Sequence, residues 1–161
     1  MTSSQRASVP NPPHGAATAR GLPLTATQIH AVGVPGYSET WPCEPQTAGH
    51  ARALVRAALH TWALDSLLDR ATLIVSELVS NAVRHSGGRL VRVSVIRPAW
   101  DVVGVSVSDK STAPPVKRTS DPEAESGRGL LLVEALADRW ETDTRRWGKV
   151  VRAELHVRPD A

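Results

Sequence analysis

The most distinctive stretch of the chain is Ser76-Glu77-Leu78-Val79-Ser80-Asn81-Ala82-Val83-Arg84-His85. It places a carboxylate, an amide and an imidazole at four-residue intervals. In a helix, which turns about 100° per residue, Asn81 lies roughly 40° and His85 roughly 80° around the axis from Glu77. The neighbouring arc is apolar and consists of Leu67, Ala71, Ile74, Val75, Leu78 and Ala82. The sequence therefore predicts a helix with Glu77 and Asn81 at the margin of its core-facing side, where a groove can form.

The composition is that of one domain of ordinary size, with 161 residues of which 41% are hydrophobic. The formal net charge is +3, and Arg6 and Arg20 in the acid-free segment 1–36 account for +2 of it. The rest of the chain is nearly neutral, so it has no electrostatic footprint for DNA or RNA. Cys43 is the only cysteine. The chain can therefore form neither an internal disulfide nor a cysteine-based zinc site.

Residues 1–36 contain five prolines and four glycines without a period. Such a segment buries little, so we predict a disordered tail over 1–36 and a folded domain over 37–158. A targeting peptide is the alternative for the tail, but two arginines and no amphipathic stretch give it little support. Because no apolar run approaches the length of a membrane span, and no signal pattern opens the chain, we expect a cytoplasmic protein.

Hydrophobic periodicity predicts an α/β two-layer sandwich, with helices on one face of a mixed, mostly antiparallel sheet. The second helix should end at the glycines of Ser86-Gly87-Gly88. The predicted elements are a strand at 38–43, a helix at 48–62, the helix of the opening stretch, strands at 89–97 and 101–109, a third helix reaching Leu136, and a hairpin of 139–144 with 149–157.

Asp109 continues an apolar row of the strand at 101–109. The residues Val103, Val105 and Val107 share one face by the period of two, and Asp109 falls on that face. A carboxylate in this position points inward and needs a partner with hydrogen-bond donors. The alternative is that Asp109 ends the strand and caps the next turn, which is the commoner role of an isolated strand-terminal aspartate.

Residues 110–126 form a long aperiodic segment, of the size that binding loops and lids usually have. It leads to Gly127-Arg128-Gly129, where the third helix opens. Glycines let a ligand approach the main chain, and the N–H groups at a helix start attract phosphate, although glycines also serve as ordinary turn residues. The spacing matches neither a P-loop nor a dinucleotide-binding fingerprint.

Three segments together resemble the N, G1 and G2 boxes of the GHKL ATPases, a family that includes histidine kinases, gyrase B-type topoisomerases and heat-shock chaperones. They are Glu77-x-x-x-Asn81, Asp109-Lys110-Ser111-Thr112-Ala113 and Gly127-x-Gly129-Leu130, in the family's order. The short length and the His85 ending of the first box look most like the anti-sigma factor serine/threonine kinases. The similarity covers about residues 37–158, and the family's Bergerat ATP-binding fold agrees with the predicted sandwich.

The resemblance implies a role for each matched residue, with ATP and Mg²⁺ as cofactors. Glu77 would be the general base, Asn81 the Mg²⁺ ligand, and Asp109 the acceptor for the adenine amino group. The phosphate site would be lined by Gly127, Arg128, Gly129 and Leu130. These assignments suit the chemistry, because phosphoryl transfer depends mainly on positioning, charge neutralisation and a base within reach of the hydroxyl.

One departure from the family's pattern bears on activity. The G1 box is usually Asp-x-Gly-x-Gly, and here Ser111 and Ala113 stand at the two glycine positions. If those positions need a positive φ, the turn is strained, so we expect phosphoryl transfer to be less secure than nucleotide binding. We expect His85 to close its helix, whereas Lys110 and Arg128 are either neutralisers of the triphosphate or solvated charges.

Three functions remain open. The first is an ATP-dependent kinase that phosphorylates a serine or threonine of an antagonist protein and regulates a sigma factor by partner switching. The second is a non-catalytic, nucleotide-binding partner-switching adaptor. The third is the ATP-binding subunit of a split histidine kinase, although no phosphoacceptor helix pair precedes the domain in this sequence. The expected partners are therefore a sigma factor and its antagonist, without direct nucleic acid or membrane binding, and a homodimer is left open.

Overall fold

The computed structural model describes residues 33–85, 88–110 and 125–159, with the side chains of the third helix described from Leu130 onward. In this part of the chain, five strands and three α-helices succeed one another. They are β1 (Gly36–Pro42), α1 (Thr47–Thr61), α2 (Leu68–His85), β2 (Leu90–Ala99), β3 (Val102–Asp109), α3 (Glu125–Leu136), β4 (Arg139–Arg145) and β5 (Gly148–His156). A short 3₁₀ turn, Asp65–Leu67, leads into α2.

The strands form one sheet in the order β1-β2-β3-β5-β4. All four described pairings are antiparallel. The predicted two-layer α/β architecture is confirmed, and the sheet is antiparallel at every described pairing rather than at most of them. The last strand, β5, lies between β3 and β4, so Asp109 at the end of β3 faces the beginning of β5.

One face of the sheet packs against α2 and forms the core. The apolar arc of α2 is buried as predicted, and the facing strand positions are fully or nearly fully buried as well. The sheet contributes Val91, Val93 and Val95 from β2, Val103, Val105 and Val107 from β3, and Val151, Ala153 and Leu155 from β5. The alternate residues, among them Arg92, Ser106 and Arg152, lie on the opposite, polar face.

The end of α1 sets the start of α2. Ala63 has a φ of 55° in the left-handed region, the Leu64 amide donates to the Leu59 carbonyl at 2.8 Å, and the Ala63 amide donates to the His60 carbonyl at 3.1 Å. These two bonds are those of a Schellman motif, which satisfies the carbonyls at a helix end. The chain therefore reverses sharply after α1, and α2 returns against it.

Helix α3 begins at Glu125, slightly earlier than predicted, so Gly127 and Gly129 lie within its first two turns. The first strand also begins slightly before the predicted boundary at Tyr37, because Gly36 opens β1, and the Pro35 carbonyl accepts from the Arg97 amide at 2.9 Å. Most of the predicted tail and loop, 1–32 and 111–124, lies outside the described residues, so the tail boundary stays a prediction. None of the described helices is long and apolar enough to cross a membrane.

Candidate functional site

Glu77 and Asn81 lie one turn apart on α2, at the border between its buried and solvated arcs. Both side chains are partly buried, while the neighbouring Leu78 and Ala82 are 3% exposed. Helix α2 packs against β3 on one side and against α3 on another. The predicted position of the two polar residues at the margin of the core is therefore confirmed. His85 is the last residue of α2 and is exposed.

The amide of Asn81 is incompletely satisfied. Its Nδ2 atom is buried and has no hydrogen-bond partner among the described residues. Buried polar atoms are rarely left in this state, because an unmade hydrogen bond costs about 1–3 kcal/mol. The same amide carries Oδ1, and a half-turn of the side chain exchanges the two atoms. Asn81 thus offers a buried amide that an external ligand can satisfy.

The donor set fits Mg²⁺ better than a transition metal. No cluster of three or more His, Cys, Asp or Glu residues that could hold a metal occurs in residues 33–85, 88–110 and 125–159. Mg²⁺ does not require such a cluster, since it is usually held by one or two protein oxygens together with water and the phosphates of a nucleotide. An amide oxygen from Asn81, beside the carboxylate of Glu77, is consistent with that mode.

Asp109 ends β3 with its side chain turned inward. It is 3% exposed and continues the buried row of Val103, Val105 and Val107. Its antiparallel partner on β5 is Lys149, which is 4% exposed. The Lys149 Nζ and Asp109 Oδ2 atoms are 3.9 Å apart. The inward orientation expected from the alternation is confirmed, and the carboxylate has a buried cation beside it.

Lys149 was not among the residues singled out from the sequence, although the signal was present. It extends the row of Val151, Ala153 and Leu155 by the same period of two that identified Asp109. Two apolar rows on adjacent strands thus each end in a charge of opposite sign. Sequence alone did not reveal that β3 and β5 are neighbours, so the two charges could not be paired.

Gly148 fixes the start of β5 against the end of β3. Its φ is 155°, and a Cβ atom at this position would lie 2.6 Å from the Lys110 Cα and overlap the Asp109 carbonyl oxygen. Real Cβ atoms do not approach the main chain so closely, so glycine alone allows the two strands to meet here. The backbone at Asp109 and Lys149 is therefore held by direct contact as well as by strand pairing.

Helix α3 carries Gly127 in its first turn, where main-chain N–H groups lack helical partners, and Arg128 and Gly129 follow directly after it. Leu130, the next residue, is 1% exposed. Because α3 packs against α2, this end belongs to the same layer as Glu77 and Asn81. Ser111 and Ala113, the two departures in the G1 box, lie outside the described residues.

The other end of α3 is anchored by Arg70 of α2. Its Nε and Nη2 atoms donate to the Leu136 carbonyl at 3.1 and 2.8 Å, and Nη2 also contacts Asp138 Oδ2 at 2.9 Å. The same carboxylate oxygen accepts from the His156 amide at 2.7 Å. Burial of Asp138 raises its pKa, but the His156 amide and the Arg70 guanidinium outweigh that effect and hold the pKa below the ordinary 3.8.

A concavity lies on the polar face of the sheet. It has a volume of about 540 Å³ and is lined by Ser94, Ile96, Ser106, Arg139, Trp140, Glu141, Arg152 and Glu154. None of the predicted site residues lines it. The candidate site is therefore on the helix-covered side, between α2, α3 and the ends of β3 and β5.

Comparison with known proteins agrees with the arrangement of these elements. A family model described as the histidine kinase-like ATPase domain matches residues 41–155. The chain belongs to this family. The match includes Glu77, Asn81, Asp109 and the glycines of α3, so all three boxes lie inside the histidine kinase-like ATPase domain.

Two individual relatives illustrate how far the likeness extends. An uncharacterized protein of Streptomyces coelicolor is 31% identical over 83 residues, which are 50% of this chain and 79% of that protein. The crystal structure of the RsbU and RsbW domains of Rv1364c from Mycobacterium tuberculosis is similar with a TM-score of 0.58 and 22% identity. The alignment covers 78% of this chain and 33% of that one, so the likeness concerns the fold of one part of a longer protein.

Proposed function

We propose that this protein is an ATP-binding protein serine/threonine kinase of the anti-sigma factor type, which phosphorylates an antagonist protein and regulates a sigma factor by partner switching. The observation that carries the proposal is the buried Asp109 at the end of β3, on the side of the sheet where α2 presents Glu77 and Asn81. Membership of the histidine kinase-like ATPase family supports ATP as the nucleotide.

In this proposal Glu77 acts on the hydroxyl of the protein substrate. The hydroxyl oxygen forms a bond to the γ-phosphorus of ATP while the bond from that phosphorus to the bridging oxygen breaks. The hydroxyl proton passes to the Glu77 carboxylate, and ADP leaves. Because Glu77 is only partly buried, a side chain of a docked partner can reach it.

The remaining residues hold the nucleotide. Asp109 accepts from the adenine amino group, and the N-terminal end of α3, with Gly127, Arg128, Gly129 and Leu130, lines the phosphate site. Asn81 would hold Mg²⁺ through Oδ1, and a half-turn of the amide would bring that oxygen to the place of the unpartnered Nδ2. When bound, the ion neutralises charge on the phosphates.

The partner assignment rests on the resemblance to anti-sigma factor kinases and on the fold shared with the structure described as RsbU and RsbW domains. A sigma factor and an antagonist that carries the acceptor serine or threonine are the partners in this proposal. A cytoplasmic location belongs to it, because sigma factors act on transcription there.

A second candidate is a partner-switching adaptor that binds nucleotide without transferring phosphate. The observation in its favour is the pair Ser111 and Ala113, which replaces the two glycines of the G1 box. Without those glycines, a turn that needs positive φ is strained, and closure around the triphosphate is impaired.

Two substitutions in α2 separate the candidates. For the kinase, Glu77→Gln removes the base but keeps the shape of the side chain, so phosphate transfer should fall by roughly 10²–10⁴-fold while ATP binding survives. Asn81→Ala should abolish Mg²⁺-dependent nucleotide affinity together with transfer. Transfer of labelled phosphate to purified antagonists and calorimetric titration with ATP, each with and without Mg²⁺, measure the two effects.

Matched controls lie on the same helix. Asp69→Asn makes the same carboxylate-to-amide change at an exposed position, and Ser80→Ala truncates the residue beside Asn81. Both should behave as wild type. Equal transfer by wild type and Glu77→Gln refutes the assignment of the base, and phosphorylation of any antagonist serine or threonine by the wild type refutes the adaptor.

A further inference from the structure

The buried pair formed by Asp109 and Lys149 has a geometry suited to base recognition. Both side chains lie on the helix-facing side of the sheet at directly paired positions of β3 and β5, and both are less than 5% exposed. Their charged atoms are 3.9 Å apart. A lysine this deeply buried is rare unless it is paired or has a function, because removing an ammonium group from water is costly.

The two side chains offer opposite hydrogen-bonding groups. An ionised aspartate only accepts hydrogen bonds, and a lysine ammonium only donates them. The Watson–Crick edge of adenine presents the complementary pair on neighbouring atoms: the exocyclic amino group donates, and ring nitrogen N1 accepts. We propose that Lys149 donates to adenine N1 while Asp109 accepts from the amino group, so that the pair reads the base. This inference rests on the proposed ATP-binding function.

Such a pair discriminates between purines by mismatched groups as well as matched ones. Guanine carries a carbonyl oxygen where adenine has the amino group, and its N1 bears a hydrogen. In the same pose the Asp109 carboxylate would meet an oxygen, and the Lys149 ammonium would meet an N–H donor. Unpaired buried polar groups are strongly unfavourable, so GTP is rejected.

The strands hold Lys149 in place for this task. Gly148 contacts the main chain of Asp109 and Lys110, which fixes the backbone one residue before Lys149. The pairing of β3 with β5 continues from Asp109 and Lys149 to Val102 and His156 without a register shift. Both groups therefore stand on rigid strand ends, where recognition can be precise. Lys149 also supplies a countercharge that the buried Asp109 carboxylate needs.

The test compares ATP with 1-deaza-ATP, in which N1 is replaced by a C–H group. Calorimetric titration of the wild-type protein should show that 1-deaza-ATP binds roughly 10–100-fold more weakly than ATP, the loss expected for one hydrogen bond to a charged group. Lys149→Met keeps most of the apolar stem and removes the donor. It should weaken ATP by a similar factor and abolish the difference between the two nucleotides.

Arg152→Met is the matched control, because it makes the same charge change on β5 but on the opposite face of the sheet. It should leave the ratio of the two affinities as in the wild type. Lys149→Arg, which retains the donor, should recover part of that ratio. These outcomes separate a contact with the base from a general effect of the pair on folding.

Equal binding of ATP and 1-deaza-ATP by the wild type overturns the inference without any variant, so the test survives if Lys149→Met does not fold. An increase in ATP affinity on Lys149→Met also overturns it, since the lysine would then compete with the base for Asp109. If the wild type binds no adenine nucleotide, the proposed function itself fails and the inference falls with it.

Discussion

Gly148 leaves no room for an added methyl group against the end of β3. A methyl group there would overlap the carbonyl oxygen of Asp109, and the φ of 155° adds backbone strain. We expect Gly148→Ala to lower the free energy of unfolding by roughly 1–3 kcal/mol, because either the strands separate or the backbone is strained. Urea denaturation followed by circular dichroism measures the change.

Gly49 in α1 provides a control of opposite sign. A Cβ atom there would meet only the Arg52 side chain, at an ordinary 3.6 Å. Because alanine favours a helix over glycine, Gly49→Ala should leave stability unchanged or raise it by up to about 1 kcal/mol. If Gly148→Ala and the wild type had the same free energy of unfolding, the start of β5 would not be in tight contact with the end of β3.

Single residues were predicted from the sequence wherever a local period fixed their direction. The inward turn of Asp109 and the marginal position of Glu77 and Asn81 follow from periods of two and 3.6, and both are confirmed. Lys149 follows the same rule, but a lysine near the start of a strand is usually solvated. Only its neighbour across the sheet, Asp109, gives it a reason to be buried, and that neighbour lies 40 residues away in the chain.

Among the elements, α3 depends on a charge supplied by another helix. Its last turn contains no basic residue, and its C-terminal carbonyl at Leu136 is instead bound by Arg70 of α2. The helix dipole favours a cation at this end of α3. Arg70 also contacts Asp138, and the Asp138 carboxylate accepts from the His156 amide, which links this contact to β5. The anchor holds the C-terminal end of α3, so it also constrains the opposite end that carries Gly127 and Gly129.

The lowered pKa of Asp138 makes this anchor sensitive to acid. The folded-state pKa lies below the unfolded value of 3.8, so the ionised carboxylate stabilises the fold fully above about pH 3.8. That contribution is lost as the pH falls through the folded-state pKa. Asp138→Asn should therefore be less stable than wild type at pH 6, and the difference should shrink below about pH 3.8. Denaturation curves at several pH values measure it.

Asp143→Asn is the control for Asp138→Asn, because the Asp143 side chain is 40% exposed and pairs only locally with Arg145 at 2.7 Å among the contacts observed. Exposed ion pairs contribute little, so this variant should track the wild type at every pH. If Asp138→Asn were less stable than the wild type by the same amount at pH 3 as at pH 6, the lower stability would arise from packing rather than from charge.

The elements themselves were largely predictable, whereas their arrangement was not. Each helix and strand has a local pattern, and all eight occur close to the predicted positions. The predicted start of α3 at Gly127 is two residues late, because the helix already begins at Glu125. The insertion of β5 between β3 and β4 depends on long-range pairing, which no local pattern encodes.

At the scale of the whole molecule, the segment before β1 should contribute little to stability. Removing residues 1–32 should leave the melting temperature and nucleotide affinity nearly unchanged, because that composition provides no core material. Removing 1–36 should cost slightly more, since it also deletes the Pro35 carbonyl that binds the Arg97 amide and the first residue of β1. Calorimetry on the two truncated proteins and the full chain measures the melting temperature of each. A melting temperature several degrees lower after removal of 1–32 contradicts the tail assignment.

The position of β5 has a consequence for biosynthesis. As the chain emerges from the ribosome, β3 exposes a bare edge until Gly148–His156 has followed β4 and inserted between the two. While α3 and β4 are being synthesised, Lys149, which neighbours Asp109 in the finished sheet, has not yet been translated. A nascent chain that stalls or is cut before β5 presents an unpaired strand of valines, which is prone to aggregate. Translation must therefore reach the final strand before the proposed adenine site can form.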